Sequence, residues 1–330
     1  MKIVAWNVQG AKKGQIREEL RYLKQVQQPD LMFLIETMTA EEHTRQILPQ
    51  LGFDHYDYIL PVNHSRGIWV LWNTKNIMAN VLLKEERAIH MLIFDIVIQK
   101  FSIISGIYAP VQSRQKDVFW NHLRNLNGII DMPWCLIGDF NELETPEDKV
   151  GGYPVGPTRL TRLPNFLNFC QAASLPVLGR SFTWKKRIHG HLVFEKLDRA
   201  IGRRDWCCQY PDCRVLAGPL TCSDHCYVLL DTHPAQLVQR KSLFRYQPNW
   251  SHYHDAQSIV RKKWIGYITG TPMFRFTSNL RRIKSALKIW SRSKFSNFRT
   301  QVEKNTTQLQ LVESRIISNP QCPRLNAWHF

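Results

Sequence analysis

The pattern that most constrains the fold is a series of short apolar runs that end in polar residues. In WCLIGDFNELETPEDKVGG, residues 134–152, an apolar run stops at a glycine and is followed by Asp139, Phe140 and Asn141. Runs of four to eight apolar residues with such breaks are typical of buried strands. We therefore predict strands over residues 2–8, 31–36, 67–73, 91–98, 101–108, 135–140 and 226–232.

Helical patterns are fewer than strand patterns. Residues 15–26 place apolar side chains on one face of a helix, and we predict further helices over 113–127 and 164–173, the latter opening with Pro164. Many strands with few helices favour two mixed sheets packed face to face, with the helices outside. No G-x-G-x-x-G or G-x-x-x-x-G-K-[ST] loop is present, which argues against a nucleotide cofactor.

The positive charge of the chain is concentrated near its C-terminus. Residues 1–235 carry 27 Lys and Arg against 24 Asp and Glu, whereas residues 236–330 carry 17 against 3, a net charge of +14. We predict an α/β domain over 1–235 and a basic helical connector or arm over 236–330, whose natural partner is a polyanion such as DNA or RNA. The coiled-coil-like arm rests on apolar residues at helical spacing: Leu280, Ile283, Leu287, Trp290, Phe298, Val302, Leu309, Val312 and Ile316.

The sequence gives no indication of a membrane protein. No stretch approaches the roughly 18 apolar residues of a membrane span, and the N-terminus lacks the apolar core of a signal peptide. We expect a soluble, intracellular protein without a membrane partner. Its eight cysteines are then expected to be free thiols.

The polar residues at the ends of the predicted strands form a candidate site. Strand ends in layered α/β folds converge on one edge, although an Asp or Asn there more often only caps a turn. Glu36 and Asn7 offer the hard oxygen ligands that suit magnesium. Asp139 could accept a proton from an attacking water, and Asn141, two positions further along an extended backbone, would face the same water. His225 could stabilise charge on a phosphate, and Asp198 could orient its imidazole ring.

Six short motifs, in this order, resemble the endonuclease, exonuclease and phosphatase superfamily, which includes deoxyribonuclease I and the apurinic/apyrimidinic endonucleases. They are WN (6–7), ET (36–37), GIYAP (106–110), GDFNE (138–142), LDR (197–199) and SDH (223–225). Residues 138–152 and 285–298 further resemble the endonuclease domain of plant LINE-type non-LTR retrotransposons and the connector that precedes their reverse transcriptase. The motifs cover residues 3–231.

The resemblance implies a four-layer α/β sandwich of the deoxyribonuclease I type that hydrolyses DNA phosphodiesters, nicking target DNA in the nucleus as in retrotransposon integration. It implies Mg²⁺, with Mn²⁺ as a substitute, at Asn7, Glu36 and Asp224. The implied catalytic residues are Tyr108, Asp139, Asn141, Asp198 and His225. Some members carry an Asp two positions after the first Asn, where this chain has Gln9, so the details of metal coordination differ.

Three other interpretations remain open. A cluster with the ligand types of a zinc site comprises Cys207, Cys208, Cys213, Cys222, His225 and Cys226, but it lacks paired C-x-x-C spacing. A phosphatase can share this fold, and so can a catalytically idle, retrotransposon-derived binding protein. No two aspartates are adjacent, so the polymerase motif of a reverse transcriptase is absent from the sequence.

A basic hairpin is predicted over residues 184–194. Its tip, RIHGH, lies between the strand-like runs SFTW and LVFEKLD, the second of which ends at Asp198. We expect the hairpin to project beside the active-site edge, where Lys185, Lys186 and Arg187 would contact DNA phosphates. The alternative is a solvated basic turn.

Overall fold

A computed structural model of the 330-residue chain describes residues 1–62, 66–234, 246, 248–264 and 269–318. The chain divides into two compact units, Met1–Ala235 and Gln236–Phe330. Each unit is described separately below.

The first unit contains sixteen strands and five α-helices among the described residues. The strands are β1 (Lys2–Asn7), β2 (Leu31–Ile35), β3 (His55–Ile59), β4 (Ile68–Trp72), β5 (Ile77–Glu85), β6 (Ala88–Asp95), β7 (Lys100–Tyr108), β8 (Trp134–Asp139), β9 (Lys149–Val150), β10 (Ala172–Ser174), β11 (Val177–Gly179), β12 (Trp184–Ile188), β13 (His191–Glu195), β14 (Asp198–Arg203), β15 (Arg214–Ala217) and β16 (Val228–Asp231). The α-helices are α1 (Gly14–Gln27), α2 (Glu41–Ile47), α3 (Ser113–Ile129), α4 (Arg162–Cys170) and α5 (Arg204–Gln209). Single 3₁₀ turns cover Leu48–Leu51, Pro146–Asp148 and Pro157–Leu160.

Two large sheets and one small ribbon organise these strands. The first sheet has seven strands in the order β11-β15-β16-β1-β2-β4-β3, and the second has six in the order β10-β14-β8-β7-β6-β5. A three-stranded ribbon, β12-β13-β9, stands apart from both. The central pairs β1/β2 and β7/β8 are parallel, so each pair delivers two strand ends to the same edge of its sheet.

The sheets pack face to face, and helices cover their outer faces. One apolar cluster joins the inner faces and includes Phe33 of the first sheet and Ile104 of the second. A second cluster packs α1 onto the first sheet, and a third packs α3 and α4 onto the second. These four layers confirm the predicted α/β sandwich of the deoxyribonuclease I type.

The two sheets lie in close contact at a glycine. A Cβ atom added to Gly106 of β7 would lie 2.1 Å from the ring of Phe33 on β2, so no side chain fits between them. Tyr108 follows two residues later on β7, and Glu36 follows the end of β2. The close contact therefore lies directly below the strand ends that carry candidate site residues.

Most predicted elements are present, with shifted boundaries. The strand predicted over 91–98 begins at Ala88 and ends at Asp95, because residues 96–99 form a turn. The helix predicted over 164–173 begins two residues earlier, and its last residues instead form β10. The exposed edge strands β3 and β5 were not predicted, since their largely exposed or half-buried residues give no apolar run.

The second unit is helical in its described part. A 3₁₀ turn, Pro248–His252, precedes α6 (His254–Trp264) and the 47-residue helix α7 (Pro272–Ser318). Ile283, Leu287 and Trp290 of α7 are buried and pack against Trp250 and α6. The long predicted helix is confirmed, but five of its apolar positions have side chains outside the described residues: Phe298, Val302, Leu309, Val312 and Ile316. Among the described residues, no helix is long and apolar enough to cross a membrane.

Candidate active site

The ends of five strands bring the candidate residues together at one edge of the sandwich. Asn7 ends β1, while Tyr108 and Asp139 end β7 and β8 as paired neighbours. Asp198 begins β14 directly opposite Asp139. A cleft of about 880 Å³ opens above them, and its lining includes Glu36, Tyr108, Asp139, Asn141, Asp224 and His225. Asn7 and Asp198 lie just beneath this lining and are almost fully buried.

Glu36 forms one side of the cleft. Its carboxylate accepts a hydrogen bond from the Tyr108 hydroxyl at 2.8 Å and pairs with the half-exposed Arg66 at 3.0 Å. Burial, together with the negative charge of Glu36, raises the pKa of Tyr108, so its hydroxyl stays protonated and donates. Two sheets thus contribute to this pair, Glu36 from the end of β2 and Tyr108 from β7.

Asp139 is the most deeply placed carboxylate of the cleft. The Asn7 side-chain amide donates to its Oδ2 at 3.0 Å, and the backbone N–H of Asn141 donates to its Oδ1 at 3.0 Å. Burial raises the pKa of Asp139 to about 7, with a contribution from the negative charge of Asp198. Asp139 is therefore a carboxylate that can take up a proton near neutral pH.

Asn141 reaches this region by a route that differs from the prediction. We expected an extended backbone to place it beside Asp139, but the strand ends at Asp139 and Asn141 has a left-handed conformation with φ of 47°. Its side-chain amide donates to the carbonyl of Ala109 at 2.9 Å. The two residues are adjacent because the chain turns back on the Asp139 carboxylate.

His225 and Asp198 form a buried pair. Nδ1 of His225 lies 2.9 Å from Oδ2 of Asp198, and Nε2 lies 3.9 Å from both Oδ2 of Asp139 and Oδ1 of Asp224. Burial disfavours the charged ring, but the charges of Asp198 and Asp139 outweigh it and raise the pKa of His225 to about 10. A protonated ring held by Asp198 leaves its second N–H directed between two carboxylates, where a ligand oxygen can approach.

The positions of His225 and Asp198 are set by neighbouring polar groups. The Thr183 hydroxyl accepts hydrogen bonds from the backbone of Asp198 at 2.9 Å and of Leu197 at 3.0 Å. Ser223 bridges the backbone of Asn7 and His225 through bonds of 2.8 and 3.1 Å. The serine of the SDH motif therefore ties His225 to the end of β1.

The donor set of the cleft fits a divalent metal ion. Oδ1 of Asp224 is buried and has no hydrogen-bond partner, whereas its Oδ2 accepts from the Trp184 indole at 3.1 Å. Glu36, Asp139 and Asp224 present hard oxygen atoms, the ligands that Mg²⁺ and Mn²⁺ prefer. One atom each of Asp139, Asp198 and His225 also lie within 4.8 Å of one another. No group of three containing a cysteine converges in this way among the described residues, so the alternative zinc cluster is not assembled there.

Backbone strain is concentrated at the same edge. Gln9, Glu36 and Asn141 all have left-handed φ values, between 46° and 54°, which non-glycine residues adopt only occasionally. Such conformations cost of order 1 kcal/mol each and persist where the surroundings enforce them. The backbone N–H of Gln9, the departure from the family pattern, donates to Oδ1 of Asn7 at 3.3 Å, so this position holds Asn7 through its main chain.

Seven cations belong to the cleft lining: Arg66, Arg87, Lys116, Lys149, Arg159, Arg162 and Lys186. Lys186 alone is among the residues predicted from the sequence; the other six carry no sequence motif and were missed. They come from loops, helices and the ribbon, and no regular spacing marks them. The Lys116 ammonium lies 2.5 Å from the carbonyl of Asn141 and 3.3 Å from Glu142, and Arg162 also pairs with Glu142.

The basic hairpin is present, but its basic residues do not lie in a turn. The turn consists of His189 and Gly190, and residues 185–187 lie within β12. Side chains alternate along a strand, so Trp184, Lys186 and Ile188 belong to the cleft lining whereas Lys185 and Arg187 do not. Of the three predicted DNA contacts, Lys186 alone borders the cleft.

Comparison with solved structures shows the same fold. An AP endonuclease, LMAP, from Leishmania major is similar over 69% of this chain and 86% of its own, with 18% identity and a TM-score of 0.52. The endonuclease domain of TRAS1, a telomere-specific non-LTR retrotransposon, is similar over 71% and 99%, with 12% identity and a TM-score of 0.53. The 3′ phosphatase NExo from Neisseria, bound to a product DNA hairpin, is similar over 70% and 98%, with 15% identity and a TM-score of 0.52.

Sequence comparison identifies the family. No curated protein matches the chain. The model of the endonuclease/exonuclease/phosphatase family matches residues 4–225, about two thirds of the chain. Members of this family are typically metal-dependent hydrolases of phosphodiester bonds. The chain belongs to the endonuclease/exonuclease/phosphatase family.

Proposed function

We propose that this protein is a magnesium-dependent endonuclease that nicks duplex DNA. One observation carries the proposal: the carboxylates of Glu36, Asp139 and Asp224 and a buried His225–Asp198 pair converge in a cleft that seven cations also line. The carboxylates can bind a metal ion, and cations such as Lys186 can bind phosphates beside the bond that is cut.

The protein groups have separate roles in this reaction. Asp139, whose pKa is raised to about 7, accepts the proton of the attacking water as that water bonds to phosphorus. The Nε2–H of protonated His225 donates to a phosphate oxygen as negative charge develops on it, and the Tyr108 hydroxyl, which donates to Glu36, holds that carboxylate in place. The bond to the leaving sugar oxygen breaks, and this oxygen takes a proton from solvent.

Metal binding falls to the oxygen ligands of the cleft. Glu36, with Asn7 and Asp224 nearby, would hold Mg²⁺, and Mn²⁺ would substitute for it. A metal ion bound there would supply charge neutralisation and polarisation of the phosphate. Asn141 holds Asp139 through its backbone N–H, and Asp198 fixes the imidazole of His225.

DNA is favoured over a small phosphate ester by the shape and charge of the cleft. The lining continues from the catalytic end onto the ribbon at Trp184, Lys186 and Ile188. A substrate that reaches from the catalytic residues to the ribbon carries phosphates in addition to the scissile one. The similar solved structures also include DNA-processing enzymes, which supports the same substrate class.

A nicking assay tests the proposal. Supercoiled plasmid should become open circular with Mg²⁺ or Mn²⁺ and remain intact with chelator, and His225→Ala should abolish the change. If the protein instead released inorganic phosphate from a 3′-phosphorylated oligonucleotide without nicking plasmid, the phosphatase alternative would be correct. Absence of both activities would favour an idle binding protein.

We further propose that the nick serves retrotransposon integration in the nucleus. The similarity to the retrotransposon endonuclease domain of TRAS1 supports this role. A nick that starts DNA synthesis must end in a 3′-hydroxyl. DNA polymerase should therefore extend the nicked plasmid without prior end repair, and a blocked 3′ end would contradict the role.

A further inference from the structure

The C-terminal unit has a pair of exposed aromatic side chains that lie outside its apolar core. Of the three tryptophans among its described residues, Trp250 and Trp290 pack against each other at 5.6 Å in the helical core. Trp264, at the end of α6, is 44% exposed and contacts Phe276 of α7, 47% exposed, at 5.9 Å. The sequence pattern alone could not separate the buried from the exposed tryptophans.

Positive charge surrounds this pair. Arg261, Lys262 and Lys263 immediately precede Trp264 and are exposed, as is Arg275 next to Phe276. Among the described residues none of these four forms an ion pair with an acidic side chain. Residues 236–330 contain only three acids, and one of them, Asp255, pairs with Lys294 at 3.3 Å. The charge is therefore available for an anionic ligand.

A basic stripe also runs along α7. Arg281, Lys284 and Lys288 are exposed and stand at positions i, i+3 and i+7. This spacing places them on one face, beside the face on which Ile283 and Leu287 pack against α6. The stripe spans roughly 10 Å along the helix axis, a distance that covers two or more successive phosphates of an extended strand.

We propose that this surface, Trp264 and Phe276 with the adjoining cations, binds single-stranded DNA. Exposed aromatic rings beside cations are the combination by which proteins hold single strands, since unpaired bases stack on rings while phosphates meet the cations. A duplex offers phosphates but no free base faces. The inference does not depend on cleavage chemistry; only the choice of DNA over RNA rests on the proposed function.

Fluorescence anisotropy of the full chain in chelator tests the surface without cleavage. We expect binding of labelled (dT)₂₀ to depend on this surface, whereas a 20-base-pair duplex, which the cleft of the first unit can also bind, should depend on it much less. Trp264→Ala with Phe276→Ala should weaken (dT)₂₀ binding at least tenfold, whereas Tyr22→Ala, an exposed aromatic of α1, should leave it unchanged. Trp264→Phe with Phe276→Tyr should retain binding, which separates loss of stacking from loss of folding.

The salt dependence tests the stripe. Arg281→Glu, Lys284→Glu and Lys288→Glu together should reduce the slope of log affinity against log salt by about 2, because each cation releases a counterion from a single strand. The matched control reverses three exposed cations of the first unit, Lys12, Arg21 and Lys75, and should change the slope by less than 1.

Several outcomes would overturn the proposal. These are equal binding of (dT)₂₀ by the aromatic double variant and the control, a loss of duplex binding in the aromatic double variant as large as its loss of (dT)₂₀ binding, or tenfold tighter binding of (rU)₂₀. If the protein nicks plasmid but gives one of these results, only the proposal of a single-strand-binding surface is wrong. If it binds (dT)₂₀ as expected but nicks nothing, only the proposed nuclease function is wrong.

Discussion

Two groups of buried or half-buried carboxylates in the first unit differ in how many cations they pair with. In the loop after β8, Glu142, Glu144 and Asp148 are matched by three buried cations, with Lys116 and Arg162 at Glu142 and Arg199 at the other two. At the strand ends, four carboxylates share His225 and the half-exposed Arg66: Glu36, Asp139, Asp198 and Asp224. The first group is neutralised by the protein, while the second retains negative charge for a metal ion.

The difference explains why one acidic stretch has two purposes. In GDFNELETPED, residues 138–148, Asp139 faces the cleft and the later acids anchor the loop. The strand-end carboxylates should be expendable for folding and essential for catalysis. The carboxylates of the loop should show the reverse. Three predictions test this contrast and a fourth concerns the ribbon, from the largest expected effect to the smallest.

Asp139→Asn should reduce the single-turnover nicking rate by about 10³-fold, because it removes the proton acceptor while keeping the side-chain shape. The folded state should be no less stable, since a buried carboxylate with few cations nearby is replaced by an uncharged amide. Nicking kinetics and urea unfolding of the same preparation measure both effects. A variant that nicks at the wild-type rate would remove Asp139 from the mechanism.

Arg199→Met should lower the free energy of unfolding by about 3–5 kcal/mol, because it leaves Asp148 and Glu144 without their buried cation. Arg45→Met is the control, since Arg45 forms an exposed i,i+4 pair with Glu41 and should change stability by less than about 1 kcal/mol. Denaturant titration compares them. Equal losses would show that the loop does not depend on its buried cation.

Glu36→Gln should weaken Mn²⁺ binding at least about tenfold, as one charged ligand becomes neutral. Part of the lost nicking should return when the metal concentration is raised. Glu142→Gln, in the neutralised group, should leave metal affinity unchanged. Calorimetric titration with Mn²⁺ separates the two, and a loss of affinity in both variants would contradict the distinction between the groups.

The ribbon should affect where DNA is cut more than whether it is cut. Lys186→Ala should raise KM about threefold, whereas Lys185→Ala should have a smaller effect because it lies off the cleft lining. Replacing residues 187–191 with a short Gly-rich turn should redistribute nicks on an end-labelled duplex while total nicking stays within about tenfold, roughly 1.4 kcal/mol of barrier. An unchanged cleavage pattern would indicate a solvated turn.

The sequence predicted best what depends on strand ends. Apolar runs located β1, β2, β7 and β8, and the polar residues that end or follow them are those the structure brings together. Asn141 lies beside Asp139 as predicted but by a different backbone conformation, because its left-handed turn cannot be inferred from residue type.

Features that depend on tertiary contact were not predictable. Lys116 and Arg162 look like ordinary helical surface residues in the sequence, yet both are buried against Glu142. Arg66 reaches Glu36 from a position 30 residues away. Side chains alternate between the two faces of β12, and this alternation decides which of the three neighbouring basic residues borders the cleft. It could be inferred only once these residues were known to lie in a strand.

The contact between Gly106 and Phe33 in the core affects how accurately Glu36 and Tyr108 are positioned. Glu36 and Tyr108 are carried by opposite sheets, so the 2.8 Å bond between them is only as accurate as the gap between those sheets. That gap is fixed below the site by a ring lying against a residue without a side chain. The absence of a side chain at Gly106 therefore sets the spacing of the two sheets. That spacing in turn fixes the position of Glu36 relative to Tyr108, two residues further along β7.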